Sequence, residues 1–368
     1  MTKSPNIAEN IEAQKPRRFT LFTSLWISLL ILAGLLVLTE SLSRIASIQN
    51  RLAMRSVGNY HAQFEIKWFK LQDYVLENDG VDVILLGNSM VNTGIDPEVF
   101  AEEYQQVTGA DLRVFNFGVE GLTVAPNSSL VQLLVETYQP KTLIYFTEMR
   151  DYVAMNGLKE EETFLSNDWL MYRLGKQNIK GWFIDRSTAI QMLLPFRGWT
   201  RSDFLDNYVL NLRRVKITQP NGYEPETRTR QDIDVRPDPS SPADKPFFEL
   251  FQNFTIDPQR VSDLHTILSK QEFQTNVFVS EIPVYFTFYD YFGGETVHQD
   301  YLKEISKIVI DYGGVFVPPV DPDLIPLDGR ADRLHLNIQG ADIFSKLLAG
   351  KFSSMCLQEH KCLDFPLR

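Results

Sequence analysis

Cysteine is scarce: the 368-residue chain has two, Cys356 and Cys362, both near the C-terminus. Two thiols cannot by themselves build a disulfide framework or a four-ligand zinc site. In an oxidising compartment they close one small loop. Otherwise they are two free thiols in a tail, and the sequence leaves both readings open. Positive charge is not in excess either: the net charge is −11 and the pI about 5.1. Nucleic acid attracts proteins through clustered Lys and Arg, so it is excluded as an expected partner. Neither a P-loop nor a dinucleotide glycine fingerprint is present, and there is no internal repeat. Asp321, Asp323 and Asp328 lie close together but lack the spacing and sixth-position glycine of a calcium loop, and read as a solvated, Pro-bounded loop. No metal and no cofactor is expected. Asn127-Ser128-Ser129 and Asn253-Phe254-Thr255 fit the glycosylation pattern, which is short enough to arise by chance.

One long uncharged run is present. Phe19 to Thr39 (FTLFTSLWISLLILAGLLVLT) carries no charge, and its length meets the about 20 apolar residues that a bilayer-spanning helix needs. Cleavable signals have shorter apolar regions, about 7–15 residues, and no small-x-small cleavage site precedes Glu40. Lys15, Arg17 and Arg18 directly before the run, with Lys3 further out, favour a cytoplasmic N-terminus; Arg44, Arg51 and Arg55 beyond it reduce the asymmetry. The expected layout is a cytoplasmic tail over 1–18, a transmembrane helix over 19–39 and an extracytoplasmic remainder, that is, a single-pass membrane protein. The competing reading of the run is a buried core helix. Ile45, Ile48 and Leu52, then Phe64, Trp68, Leu71 and Val75, recur at helical spacing. Residues 42–78 are therefore expected to form a helical stalk that packs onto the domain.

A single core rarely grows beyond roughly 250–300 residues, so the rest of the 42.4 kDa chain suits one sizeable domain with accessory segments. Val81–Gly87, Leu112–Asn116, Thr142–Phe146, Asn276–Ser280 and Gly314–Val317 are short apolar runs of the kind that form strands buried on both faces. Helical patterns lie between and after them, at about 97–106, 125–138, 258–270, 297–312 and 338–349, which is the alternation of an α/β domain with a parallel sheet. It breaks from about 151 to 255. That insertion is aromatic at first (Trp169, Tyr172, Trp182, Phe183, Phe196, Trp199), then polar and Pro-rich from Gln219 to Pro246. It reads as a helical cap or substrate-binding element followed by a flexible loop. Residues 351–368 read as a C-terminal tail.

Gly87-Asn88-Ser89-Met90 closes the first strand, and ligand sites in open α/β sheets lie at the carboxyl ends of strands. A serine there, just before a helix, presents a hydroxyl beside backbone N–H groups able to stabilise an oxyanion. Far downstream stands Asp332-Arg333-Leu334-His335. Serine needs a base to become a nucleophile. Histidine is the usual base, and a carboxylate fixes its tautomer and stabilises the imidazolium. A three-residue offset on one loop lets Asp332 reach the His335 ring while the other ring nitrogen points into a cleft. His61, His265, His298 and His360 lack a comparable setting. The bland readings are an ordinary strand–turn serine and an exposed loop histidine.

Together these segments resemble the SGNH (GDSL-like) superfamily. LLGNSMVNTGIDP is similar to its first block, FNFGVEGLT to its second and DRLHLNIQG to its closing Asp-x-x-His block, over about 81–151 and 276–350. The resemblance implies a flavodoxin-like three-layer α/β sandwich with a parallel sheet over 79–350. It implies Ser89 as nucleophile, His335 as general base and Asp332 as its orienting partner. The oxyanion hole would use the backbone N–H groups of Ser89 and Gly121, with Gly118 as the alternative to Gly121; either glycine equally reads as a turn needing positive φ. Asn88, Asn116 and Glu148 would contact substrate. The family's third block, Gly-x-Asn-Asp, is replaced here by Glu148-Met149-Arg150-Asp151. Arg150 then stands where the family's Asn donates to the oxyanion. A guanidinium can do the same, or it pairs with Glu148 or Asp151; one lost donor typically costs about 10²–10³ in turnover. An anchored domain of this kind resembles the O-acetyltransferases and D-alanylation proteins of bacterial surface polymers. That implies acyl transfer to a polysaccharide or teichoic-acid hydroxyl, with a membrane O-acyltransferase as partner. An esterase using the same triad, and a non-catalytic glycan-binding or scaffold module, are the competing readings.

Overall fold

The computed structural model describes residues 18–45, 48, 54–154, 158–230, 232–270 and 275–359. Cys362 lies outside them, as does most of the 1–18 segment. The first helix, α1 (Arg18–Ser43), contains a candidate span from Phe22 to Ser43, whose most apolar 18 residues have a mean hydropathy of 2.2 and are not buried within the protein. It is long and apolar enough to cross a membrane, and its lack of burial removes the core-helix alternative. Of the segment 42–78, expected as a helical stalk that packs onto the domain, residues 46–47 and 49–53 lie outside the described residues and 62–78 form α2 (Ala62–Asn78). Residues Gln63 to Phe69 and Leu71 of α2 are buried, and Phe64 and Trp68 pack edge-on or tilted against Phe117, Trp169 and Tyr138. This helix is part of the domain core. The segment before it is tied in by Glu65, whose Oε1 accepts from Ser56 Oγ (2.6 Å) and Asn59 N (2.8 Å).

The short apolar runs become β1 (Val83–Gly87), β2 (Val114–Gly118), β3 (Thr142–Thr147), β4 (Asn276–Glu281) and β5 (Val315–Phe316). They form one parallel sheet in the order β2-β1-β3-β4-β5. Every residue of β1, β2 and β3 is buried, which is why each reads as an unbroken apolar run. From β1 the chain moves outward to β2 and then returns to β3 on the other side. The direction of winding therefore switches at the carboxyl ends of β1 and β3, where open α/β sheets bind ligands.

After β1 come α3 (Ser89–Gly94) and α4 (Pro97–Thr108), the latter started by an Asp96 cap with Pro97 at its first turn. Between β2 and β3 runs α5 (Val124–Tyr138). The first part of the insertion holds α6 (Leu158–Leu165), α7 (Asp168–Arg173), α8 (Ile179–Arg186), α9 (Thr188–Leu193) and α10 (Phe204–Ile217). Next come α11 (Lys245–Phe251) and α12 (Pro258–Leu268). α13 (Glu295–Asp311) precedes β5, and α14 (Ile338–Glu359) closes the fold. α4 packs on α14 through Phe100, Tyr104 and Phe352. α14 continues past the expected 349, and the 351–368 tail is corrected over its first part by the burial of Phe352, Ser353 and Cys356.

The expected flexible loop after Gln219 is also corrected. Residues 218–230 form an extended strap laced to the sheet edge and the site. Asn116 N donates to Asn221 O (2.9 Å), Glu224 N to Asn92 O (3.2 Å), and Ile338 N to Glu226 O (2.8 Å). Gly222 is demanded by its place: its φ is +85°, and a Cβ there would lie 2.2 Å from the Asn116 carbonyl oxygen.

Burial pushes the Glu65 carboxyl up from an ordinary 4.5 to about 7, against the lowering effect of its hydrogen bonds. A carboxyl raised in the folded state favours folding fully below its unfolded pKa, and that contribution is lost as pH rises through the folded value. Between pH 4.5 and 7 the wild type should lose roughly 2–4 kcal/mol relative to Glu65→Gln. Urea unfolding of both proteins across this range checks it; parallel curves would contradict it.

Candidate active site

Ser89 follows β1 directly and opens α3. Asn88 caps that helix, its Oδ1 accepting from Met90 N at 2.9 Å. At the first helical position the Ser89 N–H has no intrahelical acceptor. Two features of β2 set how close α3 lies. A Cβ on Gly118 would fall 2.4 Å from Asn92 N, 2.7 Å from Val91 Cβ and 2.9 Å from Asn88 O, so the α3 backbone rests directly on Gly118. Asn116 holds it there: Nδ2 donates to Val91 O (2.7 Å) and Ile95 O (2.8 Å), while Oδ1 accepts from Gly118 N (2.9 Å) and Lys67 Nζ (3.1 Å). Those four bonds use the full capacity of a side-chain amide. Asn116 is thus a buried clamp, which corrects its expected role as a substrate contact.

The other half of the site sits on the loop before α14. Arg330, fully buried, donates to Pro283 O (3.1 Å) and Pro322 O (2.9 Å) and pairs in an antiparallel bridge with Leu336. The loop thus turns back on itself, with Ala331 N donating to His335 O (2.9 Å). Within it Asp332 Oδ1 accepts from Leu334 N (2.8 Å) and His335 N (2.9 Å), which aims the carboxylate at the ring of its own loop. His335 Nδ1 lies 2.8 Å from Asp332 Oδ2, and Nε2 lies 2.8 Å from Ser89 Oγ. A carboxylate only accepts, so Nδ1 carries the proton and Nε2 of the neutral ring is left to accept from the serine hydroxyl. Burial alone would raise the Asp332 pKa; the hydrogen bond from His335, the ring's charge and the two backbone N–H groups outweigh it and hold it at about 2. The carboxylate is ionised wherever the imidazole can act as a base. The three residues that the sequence singles out are therefore brought into one hydrogen-bonded chain.

The third block resolves toward the ion-pair reading. Arg150 pairs with Glu148, and Glu148 Oε1 accepts from Asn88 Nδ2 at 2.6 Å. Asn88 and Glu148 are both buried. They face each other beneath the serine and hold the turn, which corrects their expected role as substrate contacts. Arg150 Cζ stands 5.7 Å from the Phe288 ring centre and feels the charge of Asp332. Burial and the neighbouring Glu148 push the Asp151 carboxyl well above the usual range, and its Oδ2 accepts from Tyr145 Oη and from Glu148 N, each at 3.2 Å. Of the two glycines, Gly118 is packed against α3, whereas a Cβ on Gly121 would meet open space. Gly121 has φ +69°, and the residue before it is fixed on all sides. Glu120 N donates to Gln63 Oε1 (2.6 Å), Glu120 O contacts His61 Nε2 (2.9 Å), and its carboxylate accepts from Arg214 of α10 (2.7 and 2.8 Å).

The strap has little signature in the sequence. Arg228 and Arg230 are exposed, paired with Glu226 and Asp232, and close enough to Asp332 to feel its charge. The one available signal was two arginines in a polar run (Glu226-Thr227-Arg228-Thr229-Arg230). Beside Asp332 opens a cavity of about 320 Å³, walled by Ile233, Phe247, Phe288 and Tyr291, with Arg230 and Arg333 lining it as well. The carboxylates of Asp232, Asp244 and Asp332 line it too, three against two guanidiniums, so beside a hydrogen-bonded Ser–His–Asp chain it can seat an uncharged or hydroxyl-rich group.

No family model and no curated protein matches the chain. Its fold is similar to solved structures of TesA (12% identity, TM-score 0.36, covering 74% of this chain and 99% of that one). It is similar to the acetylxylan esterase Axe2 of Geobacillus stearothermophilus (13%, 0.35, 74% and 94%), and to a lipase/acylhydrolase of Enterococcus faecalis (10%, 0.34, 76% and 96%). At such scores these likenesses say nothing of this chain's substrate or reaction.

Removing the Asn116 amide strands two carbonyls, one N–H and the ammonium of Lys67. Asn116→Ala should cost roughly 3–5 kcal/mol of stability, since each buried group left unpaired costs about 1–3 kcal/mol. A denaturation midpoint unchanged from wild type would return Asn116 to the role of a substrate contact.

Proposed function

We propose that this chain is an SGNH-type serine acyl-transfer enzyme, anchored by α1 and facing the extracytoplasmic side. It works as an O-acyl (acetyl) transferase or esterase on a cell-envelope polysaccharide or similar polymer. The reading is carried by the 2.8 Å contact between Ser89 Oγ and His335 Nε2, with Asp332 on the far side of the ring. As the serine oxygen attacks an acyl carbonyl, its proton passes to Nε2, and Asp332 steadies the imidazolium. Negative charge gathers on the carbonyl oxygen and is met by the backbone N–H groups of Ser89 and Gly121. The leaving oxygen takes the proton from Nε2, and the acyl group stays on Ser89. An acceptor hydroxyl then gives its proton to Nε2 and attacks the acyl-serine, and Nε2 returns that proton to Ser89 Oγ as the serine leaves, restoring the hydroxyl and the neutral ring. Transferase and esterase differ in whether that hydroxyl belongs to a sugar or to water. The cavity beside Asp332, with aromatic walls and a rim of both charges, supports a hydroxyl-rich polymer. A membrane O-acyltransferase fits as the acyl donor, because the acyl carriers of the cytoplasm do not reach this side.

The pairing of Arg150 with Glu148 favours a second reading. Glu148 fixes the orientation of Arg150, and a guanidinium so held, in place of the amide of the family's third block, suits a glycan-binding module or a slow enzyme.

A fluorophosphonate probe separates the two. It should label wild type, fail on Ser89→Ala, and slow by roughly 10³-fold or more on His335→Ala. Asp332→Asn should slow it by a similar order, through the wrong ring tautomer. An unlabelled but folded wild type would favour the binding module. Where labelling succeeds, comparing hydrolysis of p-nitrophenyl acetate with transfer to an oligosaccharide distinguishes esterase from transferase.

A further inference from the structure

The insertion carries a surface that the acyl-transfer chemistry does not use. Ile179, Trp182, Phe183, Leu193, Trp199 and Leu205 are large, apolar and 40–77% exposed. Such side chains are costly in water when clustered on consecutive elements. The same segment departs from the charge of the chain. Residues 176–217 hold eight basic and three acidic side chains, a local net of +5 in a chain of −11. Apolar aromatic and basic side chains together are the composition of a membrane-surface element.

The position of this surface is set by α1. Glu40, in the last turn of that helix, accepts from Ser187 Oγ (2.7 Å), Thr188 N (3.0 Å) and Ala189 N (3.2 Å), so it caps α9. Arg44 NH2 reaches the Arg186 carbonyl at 3.5 Å. The junction of α8 and α9 is therefore joined to the end of the apolar stretch. From Ser187 back to Trp182 is five residues of helix, about 8 Å at 1.5 Å per residue. The interfacial layer on each side of a bilayer's hydrocarbon core is roughly 5–8 Å thick. Tryptophan favours that layer, and Arg186 Cζ lies 5.4 Å from the Trp182 ring centre.

We propose that residues 176–217 form a membrane-contacting surface. Trp182, Phe183, Leu193 and Trp199 enter the headgroup layer of the bilayer that α1 spans, and basic side chains of the segment other than Arg197 and Arg214, which bond within the domain, meet anionic lipid. This rests on the reading of α1 as a span. Because α10 of the same insertion holds Glu120 through Arg214, the docked insertion would also orient the Ser89 cleft relative to the membrane.

The test uses the full chain in vesicles of phosphatidylcholine and phosphatidylglycerol, with a phosphatidylcholine brominated high on its acyl chain. Bromine quenches tryptophan on contact. Trp26→Phe removes the tryptophan of α1; of the four that remain, Trp68 and Trp169 are buried and Trp182 and Trp199 exposed. Bromolipid should quench up to about half the emission of Trp26→Phe, and this loss should vanish when Trp182 and Trp199 are also changed to Phe. Quenching of Trp26 in wild type without any in Trp26→Phe overturns the proposal and leaves the span standing. No quenching in either overturns both. Shielding of Trp182 and Trp199 only after a second membrane protein is added overturns it in favour of a protein partner. Fluorophosphonate labelling in the same vesicles reports on Ser89 separately.

Discussion

The backbone of α3 lies on the end of β2 at a distance that only a glycine permits. Gly118 makes room and Asn116 locks the contact through the carbonyls of Val91 and Ile95. Everything at the site follows from this. With α3 fixed, Ser89 emerges at the point where the sheet reverses its winding. The Arg330-anchored loop then has one place to present His335, and a 2.8 Å contact results between residues far apart in the chain. The strap adds a third tie, because it bonds to Asn116 and Asn92 at one end and to Arg330, Asn337 and Ile338 at the other.

Burial acts on several ionisable groups here with opposite results. Asp332 has hydrogen-bond donors on both oxygens and stays ionised. Asp151 and Glu65 are buried more deeply, so desolvation outweighs their hydrogen bonds and counter-charges and their carboxyls are pushed upward. Lys67 is pushed down to about 7 by the same desolvation, partly countered by Glu224 and Glu120. Burial raises the cost of charge everywhere, and the local count of donors and counter-charges decides who keeps it. At the proposed active site that count favours an ionised orienting carboxylate, as acyl transfer requires.

The insertion links the site to the N-terminal helix. The start of its α9 is capped by Glu40 of α1, and another part, α10, grips Glu120 beside Gly121. A segment that interrupts the α/β alternation thus bears on both the anchoring and the shape of the cleft.

The sheet strands and the helices flanking them were legible in the sequence because parallel strands are buried on both faces and read as continuous apolar runs, bounded by turn residues and caps. Ser89, Asp332 and His335 were legible because strand-end and short-offset patterns are local. So was α1, whose length and lack of charge are properties of one segment. What the chain order could not disclose is what each segment packs against. The helical spacing of Phe64, Trp68 and Leu71 is the same for a stalk and for a core helix, and only the sheet surface under α2 decided it. A polar, Pro-rich stretch reads as a loose loop until its backbone groups find partners on Asn116 and Arg330. Asn116 and Glu148 resembled substrate contacts until their hydrogen bonds proved to be spent on Val91, Ile95, Asn88 and Arg150. Local pattern determines which elements form; partners distant in sequence decide what those elements hold.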